Sequence, residues 1–233
     1  MTDWKSHLLT GSIALIFGFI GAAIWQFSGI GDTRTRAFLI DNPDILPEMA
    51  EAYDRQQAAE RLASVEQDVV QPFPGAILGN PDGEVTLVEF SDYGCTYCRM
   101  SRPDIDALIA ENPDLKVVVR EWPIFQGSDG AAKLALAAAQ QGKFAQFHDV
   151  MFSLGSPTPE NMAQAAAIVE LDMEKAQAAM ESQDVELELA RNLGLARQLG
   201  FAGTPSFVIG NRVYEGAVGK ELLQEAISEA RGS

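Results

Sequence analysis

The chain is poor in cysteine and histidine. Its 233 residues include only two cysteines, Cys95 and Cys98, and two histidines, His7 and His148, which lie far from the cysteines in sequence. These residues cannot supply a four-sulfur zinc site. A disulfide that closes so short a loop would constrain the unfolded chain by about 2 kcal/mol, and geometric strain can cancel that gain. A reversible dithiol/disulfide couple is therefore the leading interpretation of Cys95-Thr96-Tyr97-Cys98.

Positive charge is also scarce. The chain has 17 lysines and arginines against 33 aspartates and glutamates, which gives a formal net charge of -16. This balance argues against a nucleic-acid backbone or an anionic lipid surface as the main partner. We therefore expect no nucleic-acid partner, and the 47% of hydrophobic residues is sufficient to build a buried core.

Charged residues are absent from one long stretch, residues 8–30, which is almost entirely apolar. It is long enough to span a bilayer. It is also longer than the apolar region of a typical cleaved signal, although Gly21-Ala22-Ala23 could serve as a cleavage site. We predict that residues 1–30 form a transmembrane anchor or a signal segment, with the retained anchor favoured.

The charges that flank this stretch do not choose an orientation, because Lys5 precedes it and Arg34 and Arg36 follow it. The cysteine pair supplies a different argument. A disulfide couple persists most readily outside the cytoplasm. We expect a periplasmic or extracytoplasmic protein that is held in the cytoplasmic membrane through residues 8–30.

Proline and glycine divide the remainder of the chain. Residues 31–72 are predicted to form a helical linker or stalk, in which Pro47 to Val69 favour helix but lack the apolar heptads of a long coiled coil. The sequence Gln71-Pro72-Phe73-Pro74-Gly75 then interrupts the chain. The main domain is predicted over residues 73–233, and we expect it to be monomeric.

The main domain begins with a predicted strand from Val85 to Phe90, followed by the cysteine motif and a helix that ends near Ala110. A second strand, Lys116 to Glu121, should lie parallel to the first, because strand, helix and strand in this order form a crossover unit. The alanine-rich residues from about 128 to 200 are predicted to form a helical insertion.

Two short apolar runs follow the insertion, Ser206 to Ile209 and Arg212 to Glu215, and Gly210-Asn211 joins them. This pattern predicts a β-hairpin. A final amphipathic helix is predicted from about Lys220 to Ala230. The order of elements therefore indicates an α/β fold.

The cysteine motif predicts different roles for its two sulfurs. Cys95 should lie at a helix N-terminus, where free backbone N–H groups and the helix dipole stabilise a thiolate. Because the thiolate is the attacking species, we expect Cys95 to be the exposed nucleophile. Cys98, one turn further into the helix, would be the resolving thiol.

Three features together resemble the DsbA-like thiol:disulfide oxidoreductases: Phe90-Ser91-Asp92-Tyr93-Gly94-Cys95-Thr96-Tyr97-Cys98, the helical insertion, and Gly203-Thr204-Pro205-Ser206-Phe207. The resemblance covers the chain from about Phe73 to its end. Asn42-Pro43-Asp44-Ile45-Leu46 is similar to a leader segment of the ScsC-like branch. The resemblance implies a thioredoxin fold with an inserted helical domain, and no cofactor beyond the redox-active cysteine pair.

The resemblance also implies roles for two residues near the predicted hairpin. Pro205 would be in the cis form and face the dithiol, and Thr204 would bind a substrate peptide through its backbone. From the residues alone, a trans proline at the first position of a strand fits equally well.

Glu89, six residues before Cys95, stands where thioredoxin-like proteins carry a buried acid that relays protons to the deeper cysteine. The alternative is a side chain on the polar face of a half-exposed strand.

Thr96 and Tyr97 stand where this family adjusts its reduction potential. Strongly oxidising members often have proline and histidine between the cysteines, and this chain has neither. We therefore expect a less extreme potential, as in members with tyrosine before the second cysteine and threonine before the cis-proline, which include isomerases and reductases.

Two other residues have side chains that could take part in chemistry. His148 follows Phe147 in a predicted helix and is assigned no role. Met100 could complete a Cu(I) site with the two cysteines, but its helical spacing favours packing in the core.

These observations predict an enzyme, a thiol:disulfide oxidoreductase that forms, reduces or isomerises disulfides in exported proteins. A membrane or soluble redox partner would reset its dithiol. Two alternatives remain open: a copper- or zinc-binding dithiol module of the cell envelope, and an interaction protein whose N-terminal helix organises oligomers.

Overall fold

The computed structural model describes residues 4–27 and 30–232. The chain forms two compact units, residues 1–54 and 55–233. The first unit contains α1 (Trp4–Phe27), α2 (Ile30–Asp41), a 3-10 turn (Pro43–Ile45) and the first half of α3 (Leu46–Ala63). The predicted domain boundaries at residues 30 and 72 stay predictions.

The structure describes only part of the predicted anchor over residues 8–30, because residues 28 and 29 lie outside the described ranges. Within those ranges, no helix combines the length and the apolar character that crossing a bilayer requires.

A five-stranded mixed sheet forms the centre of the second unit, in the order β1-β3-β2-β4-β5. Its strands are β1 (Ile77–Gly79), β2 (Val85–Ser91), β3 (Leu115–Glu121), β4 (Ser206–Ile209) and β5 (Arg212–Glu215). The central strand β2 pairs with β3 in parallel and with β4 in antiparallel orientation. The predicted crossover unit and hairpin are confirmed, whereas β1, an antiparallel partner of β3, was not predicted.

The helices of this unit alternate with or follow the strands. They are α4 (Glu66–Val69), α5 (Thr96–Glu111), α6 (Ser128–Gln140), α7 (Phe144–Leu154), α8 (Pro159–Ile168), α9 (Met173–Met180), α10 (Gln183–Leu199) and α11 (Lys220–Ala230). Side chains of Thr158 and Asp172 cap α8 and α9, because each accepts a hydrogen bond from the backbone N–H three residues later. Gly200, in the left-handed conformation, ends α10. Helices α6 to α10 all lie between β3 and β4 in the chain.

Both faces of the sheet are buried, which explains why its central strands are nearly continuous apolar runs. On one face, Leu87 and Val117 pack against α5, α11 and the inserted helices. On the other face, Val88 and Val118 pack in a cluster that includes residues of α4 and α10. Because side chains alternate along a strand, Glu89 and Glu121 belong to the first face and Arg120 to the second.

Arg120 is buried on the second face, where its guanidinium group joins α4 to α10. It donates to Glu188 Oε1 and Asn192 Oδ1, both at 2.9 Å. It also donates to the carbonyl groups of Val69 and Gln71 at the end of α4. This single side chain therefore supplies hydrogen bonds to backbone groups and to a buried carboxylate, which would otherwise lack a charged partner.

We predict that Arg120→Ala lowers the free energy of unfolding by about 3 to 5 kcal/mol, because it leaves Glu188 as an unpaired buried charge. Urea denaturation measures this change. The control is Arg212→Ala, which removes an exposed ion pair with Glu229 at 3.1 Å and should cost less than about 1 kcal/mol. Equal losses for the two variants would contradict the role given to Arg120.

Candidate active site

The cysteine motif lies where β2 ends and α5 begins. Cys95 is the N-cap of α5, and its sulfur accepts a hydrogen bond from the Cys98 backbone N–H at 3.4 Å. Gly94 allows this tight turn, because a Cβ atom there would come within 2.6 Å of Ser128 Oγ and 2.9 Å of Phe125 Cβ. The two sulfurs are not bonded to each other in this structure.

Asp92 holds the turn in place. Its Oδ1 accepts a hydrogen bond from Gly94 N–H at 2.7 Å, and its Oδ2 accepts from the N–H groups of Ile124 and Phe125 at 2.6 and 2.9 Å. The side chain is buried, and it ties the redox loop, residues 92–95, to the segment after β3. This role was not predicted from the sequence, although an aspartate two residues before a glycine turn is a known signal for such a loop.

The sheet brings Thr204 and Pro205 to the same site. Phe90 pairs with Ser206 across β2 and β4, so the end of β2 lies beside the start of β4. The Cys95 thiol donates a hydrogen bond to the Thr204 carbonyl at 3.1 Å. The Thr204–Pro205 peptide bond is cis, as the resemblance implied. The structure thus places Thr204 against the first cysteine although 109 residues separate them.

The prediction that Cys95 is exposed is wrong, because the residue is only 1% exposed. Its sulfur packs between the N-terminus of α5 and the Thr204 carbonyl. Cys98 is equally buried. Thr96 and Tyr97, between the cysteines, are exposed, so they are the parts of the motif that a docked partner would meet first.

Met100 does not pack in the core as predicted, since 63% of its surface is exposed. The buried face of α5 is formed instead by Cys98, Ser101, Ile105 and Leu108, and Met100 falls outside that spacing. Within residues 4–27 and 30–232, no group of three or more histidine, cysteine, aspartate or glutamate side chains is arranged to hold a metal ion.

Glu89 is buried on the same face of the sheet as the dithiol, so the half-exposed alternative is wrong. Burial raises the pKa of its carboxyl from 4.5 to about 7, and the positive charge of Arg102 opposes this effect. No described residue donates a hydrogen bond to Glu89 Oε2. An acid with a pKa near neutrality can both release and accept a proton, although its role as a relay stays a prediction.

The environment of Cys98 differs from that of a free thiol. Burial is the largest cause that raises its pKa well above the ordinary value, and the Glu89 carboxyl adds to the effect. Cys98 is therefore a protonated thiol at neutral pH. It needs a neighbouring base before it can attack a disulfide. Among the charged groups, Glu89 raises the pKa of Cys98 the most.

A second buried polar group lies behind the redox loop. The Tyr93 hydroxyl donates to Glu121 Oε1 at 3.0 Å and lies 2.9 Å from His148 Nδ1. All three side chains are buried, and the rings of Phe147 and Phe152 pack against Tyr93. No role was predicted for these three residues from the sequence, because they come from three distant parts of the chain.

Comparison with known proteins is consistent with this geometry. A family model described as a DSBA-like thioredoxin domain matches residues 86–228. A solved thioredoxin-like oxidoreductase from Silicibacter pomeroyi DSS-3 is 42% identical, with 67% of this chain and 92% of that chain covered and a TM-score of 0.65. ScsC from Proteus mirabilis, solved in a transitional conformation, is 27% identical, with 86% and 95% covered and a TM-score of 0.67.

Curated relatives include a protein named Na(+)/H(+) antiporter NhaA 1 from Salinispora arenicola. It is 26% identical over 165 residues, which are 69% of this chain and 25% of the antiporter. The chain therefore spans about a quarter of the length of such relatives. The name antiporter refers to the whole of these longer proteins, whereas the match to this chain covers only about a quarter of them.

We predict that Glu89→Gln stabilises the reduced protein at alkaline pH. The folded state holds the Glu89 proton up to about pH 7, whereas the unfolded chain releases it near 4.5. Burying the carboxylate therefore costs nothing below pH 4.5, and the cost grows to about 3 kcal/mol as the pH rises through 7. Urea denaturation at pH 5 and pH 8 should show the variant gaining stability over the wild type as pH increases.

The matched control is Glu225→Gln, which alters an exposed residue of α11 and should change stability equally at both pH values. A stability difference between Glu89→Gln and wild type that does not vary with pH would show that Glu89 ionises normally.

Proposed function

Because the chain belongs to the DSBA-like thioredoxin family, we propose that it is a thiol:disulfide oxidoreductase that acts on exported proteins through Cys95 and Cys98. One observation carries the proposal. The Cys95 sulfur sits at the N-terminus of α5 and against the Thr204 carbonyl, while Cys98 lies one turn deeper beside an acid. This arrangement gives the two sulfurs different chemistry.

In the oxidising direction, a substrate thiolate attacks Cys95 in the Cys95–Cys98 disulfide. The protein S–S bond breaks, a mixed disulfide forms on Cys95, and Cys98 leaves with the electron pair. The Glu89 carboxyl supplies the proton that makes Cys98 a thiol. A second substrate thiolate then attacks the substrate sulfur of the mixed disulfide, and Cys95 leaves as a thiolate, so that the substrate gains a disulfide and the protein pair gains two electrons.

In the reducing direction the same steps run backwards. The Cys95 thiolate attacks a substrate disulfide, and the Glu89 carboxylate takes the proton of Cys98 so that this sulfur can release the substrate. Because Cys95 is buried, a substrate sulfur reaches it only after a local displacement of the groups that cover it. The exposed Tyr97 is at the correct place to contact the incoming chain.

The direction of catalysis follows from the reduction potential. Neither Thr96 nor Tyr97 carries an imidazolium group. The Cys95 thiolate therefore lacks the stabilisation that a histidine between the cysteines provides in strongly oxidising members of the family. We propose a moderate potential, suited to isomerisation or reduction as well as oxidation. The partner that resets the dithiol is a protein thiol or disulfide of the same compartment.

We place this chemistry outside the cytoplasm, where a disulfide couple persists, with residues 8–30 as a retained anchor or a cleaved signal. The match to antiporters concerns about a quarter of their length and supports no proposal of ion transport for this chain.

We predict that Cys98→Ala traps covalent complexes with substrate proteins, because the mixed disulfide on Cys95 then has no resolving thiol. Non-reducing electrophoresis of cells expressing the variant in an oxidising compartment should show bands that disappear on reduction. Cys95→Ala is the matched control and should trap far fewer partners. If the Cys98→Ala protein is folded but forms no mixed disulfides, the proposed function is wrong. The metal-binding dithiol module is then the next candidate.

We predict that the full chain fractionates with the cell envelope. Extraction of membranes with alkaline carbonate separates the two forms that the N-terminal sequence allows: a retained anchor stays in the pellet at full mass, whereas a cleaved signal leaves a shorter soluble protein. Recovery of full-length protein from the cytoplasm alone would contradict the proposed location.

A further inference from the structure

The carboxyl group of Asp92 connects two segments that are distant in sequence, the redox loop and the residues after β3. Its Oδ2 accepts hydrogen bonds from the backbone N–H groups of Ile124 and Phe125 at 2.6 and 2.9 Å. Its Oδ1 accepts from the Gly94 N–H at 2.7 Å, and the whole residue is buried. Because an aspartate accepts hydrogen bonds through both oxygens, this one side chain fixes both segments at once.

Asp92 is also in contact with both cysteines through its backbone. Its carbonyl accepts a hydrogen bond from the Cys95 N–H at 3.0 Å. Its backbone also hydrogen-bonds the Cys98 sulfur: burial raises the pKa of the Cys98 thiol most strongly, and this bond is the largest effect that lowers it. The residue that holds the segment after β3 is therefore part of the turn that presents the dithiol.

Ile124 and Phe125 lie directly beside this turn. A Cβ atom on Gly94 would come within 2.9 Å of Phe125 Cβ, so the Phe125 side chain begins against the residue before Cys95. Even so, Ile124 is 42% exposed and Phe125 is 47% exposed. We call these two side chains the apolar rim. Their backbones are fixed by Asp92, whereas much of their apolar surface faces solvent next to a reactive group, which is typical of an interaction site.

The chemistry of the apolar rim favours one kind of partner. The chain has a net charge of -16, yet residues 122–127 contain no charged side chain. In folded proteins cysteine is among the most buried residues, so its neighbours are largely apolar. A protein that has not completed folding exposes those neighbours next to its reactive sulfur. When that sulfur reaches Cys95, the flanking apolar side chains come within reach of the rim.

We propose that Asp92 is a positioning residue of the redox centre, which holds Ile124 and Phe125 as the contact surface for apolar side chains that flank the reacting cysteine of an unfolded protein substrate. This role rests on the proposed function, because the substrate sulfur must react at Cys95. Apolar contact with the rim strengthens the complex with such a segment and adds nothing for a thiol that lacks one. The rim therefore sets selectivity among thiol substrates.

The test compares two synthetic peptides, each with two cysteine thiols. One peptide has leucine and phenylalanine beside the cysteines, and the other has serine at those positions. Either peptide dithiol reacts with the Cys95–Cys98 disulfide to give the peptide disulfide and the protein dithiol, so two electrons and two protons pass to the protein. We define selectivity as the ratio of kcat/KM for the apolar peptide to kcat/KM for the serine peptide. We expect about tenfold for the wild type, through a lower KM for the apolar peptide.

Three variants test the role of Asp92. Asp92→Asn replaces one acceptor oxygen with an NH₂ group, so the side chain can no longer accept from both segments, and we expect the selectivity to fall to about twofold or less. Ile124→Ser combined with Phe125→Ser removes the rim and should lower selectivity equally. Adding Asp92→Asn to that double variant should change selectivity by less than about 1.5-fold, because the aspartate acts through the rim.

Asp172→Ala is the control for lost stability. It removes the side chain that caps α9 by accepting from the Lys175 N–H at 3.2 Å, and α9 belongs to the helical insertion. Its selectivity should equal that of the wild type. If Asp92→Asn does not fold, hydrogen exchange of the wild type decides, because the hydrogen bonds to Asp92 should slow exchange of the Ile124 and Phe125 amides. Exchange of both amides at the rate of an unstructured chain would overturn the proposed role.

Four further results would also overturn it: a wild-type selectivity near one, an Asp92→Asn selectivity equal to that of the wild type, an equal loss in Asp172→Ala, and a full additional loss when Asp92→Asn is added to the rim variant. The last two would show a general structural role. A wild-type disulfide that reacts with neither peptide would instead contradict the proposed function, so the two failures are distinguishable.

Discussion

The antiparallel pairing of β4 with the central strand β2 is the constraint on which the site depends. Phe90 and Ser206 are partners in this pairing, so the chain leaving β2 and the chain entering β4 meet at one end of the sheet. The hydrogen bond between the Cys95 thiol and the Thr204 carbonyl is possible only with this register. A shift by one residue would reverse the direction of every side chain of β4 and separate the two halves of the site.

The same strands carry charged residues where the folding of the sheet alone would favour apolar ones. Glu89 and Glu121 are buried on the face of the dithiol, and Arg120 is buried on the other face. Arg120 has a carboxylate and several backbone carbonyls as partners, so its burial is compensated. Glu89 is not compensated in this way, which raises the pKa of its carboxyl to about 7. Uncompensated burial of this kind is expected at sites of chemistry rather than in purely structural positions.

Much of this architecture could be predicted from the sequence, because it depends on local signals. The strand at residues 85–91, the caps Thr158 and Asp172, and the hairpin at Gly210-Asn211 all have short-range causes. The three-residue strand β1 is too short to give a pattern and exists through its pairing with β3. The burial of Cys95 also escaped prediction, because the carbonyl that covers it comes from a residue more than one hundred positions away.

The buried cluster of Tyr93, Glu121 and His148 shows the same difference between local and long-range causes more clearly. Its members are unremarkable in sequence, since a tyrosine, a glutamate in a strand and a histidine in a helix have many ordinary roles. Only the fold brings the inserted helix α7 against the redox loop and makes them partners. The insertion is therefore more than a cover over the sheet, because it contributes a buried contact to the loop that carries Cys95. The Tyr93 hydroxyl is the polar contact between α7 and the loop, in a region where burial makes hydrogen bonds and charges act strongly.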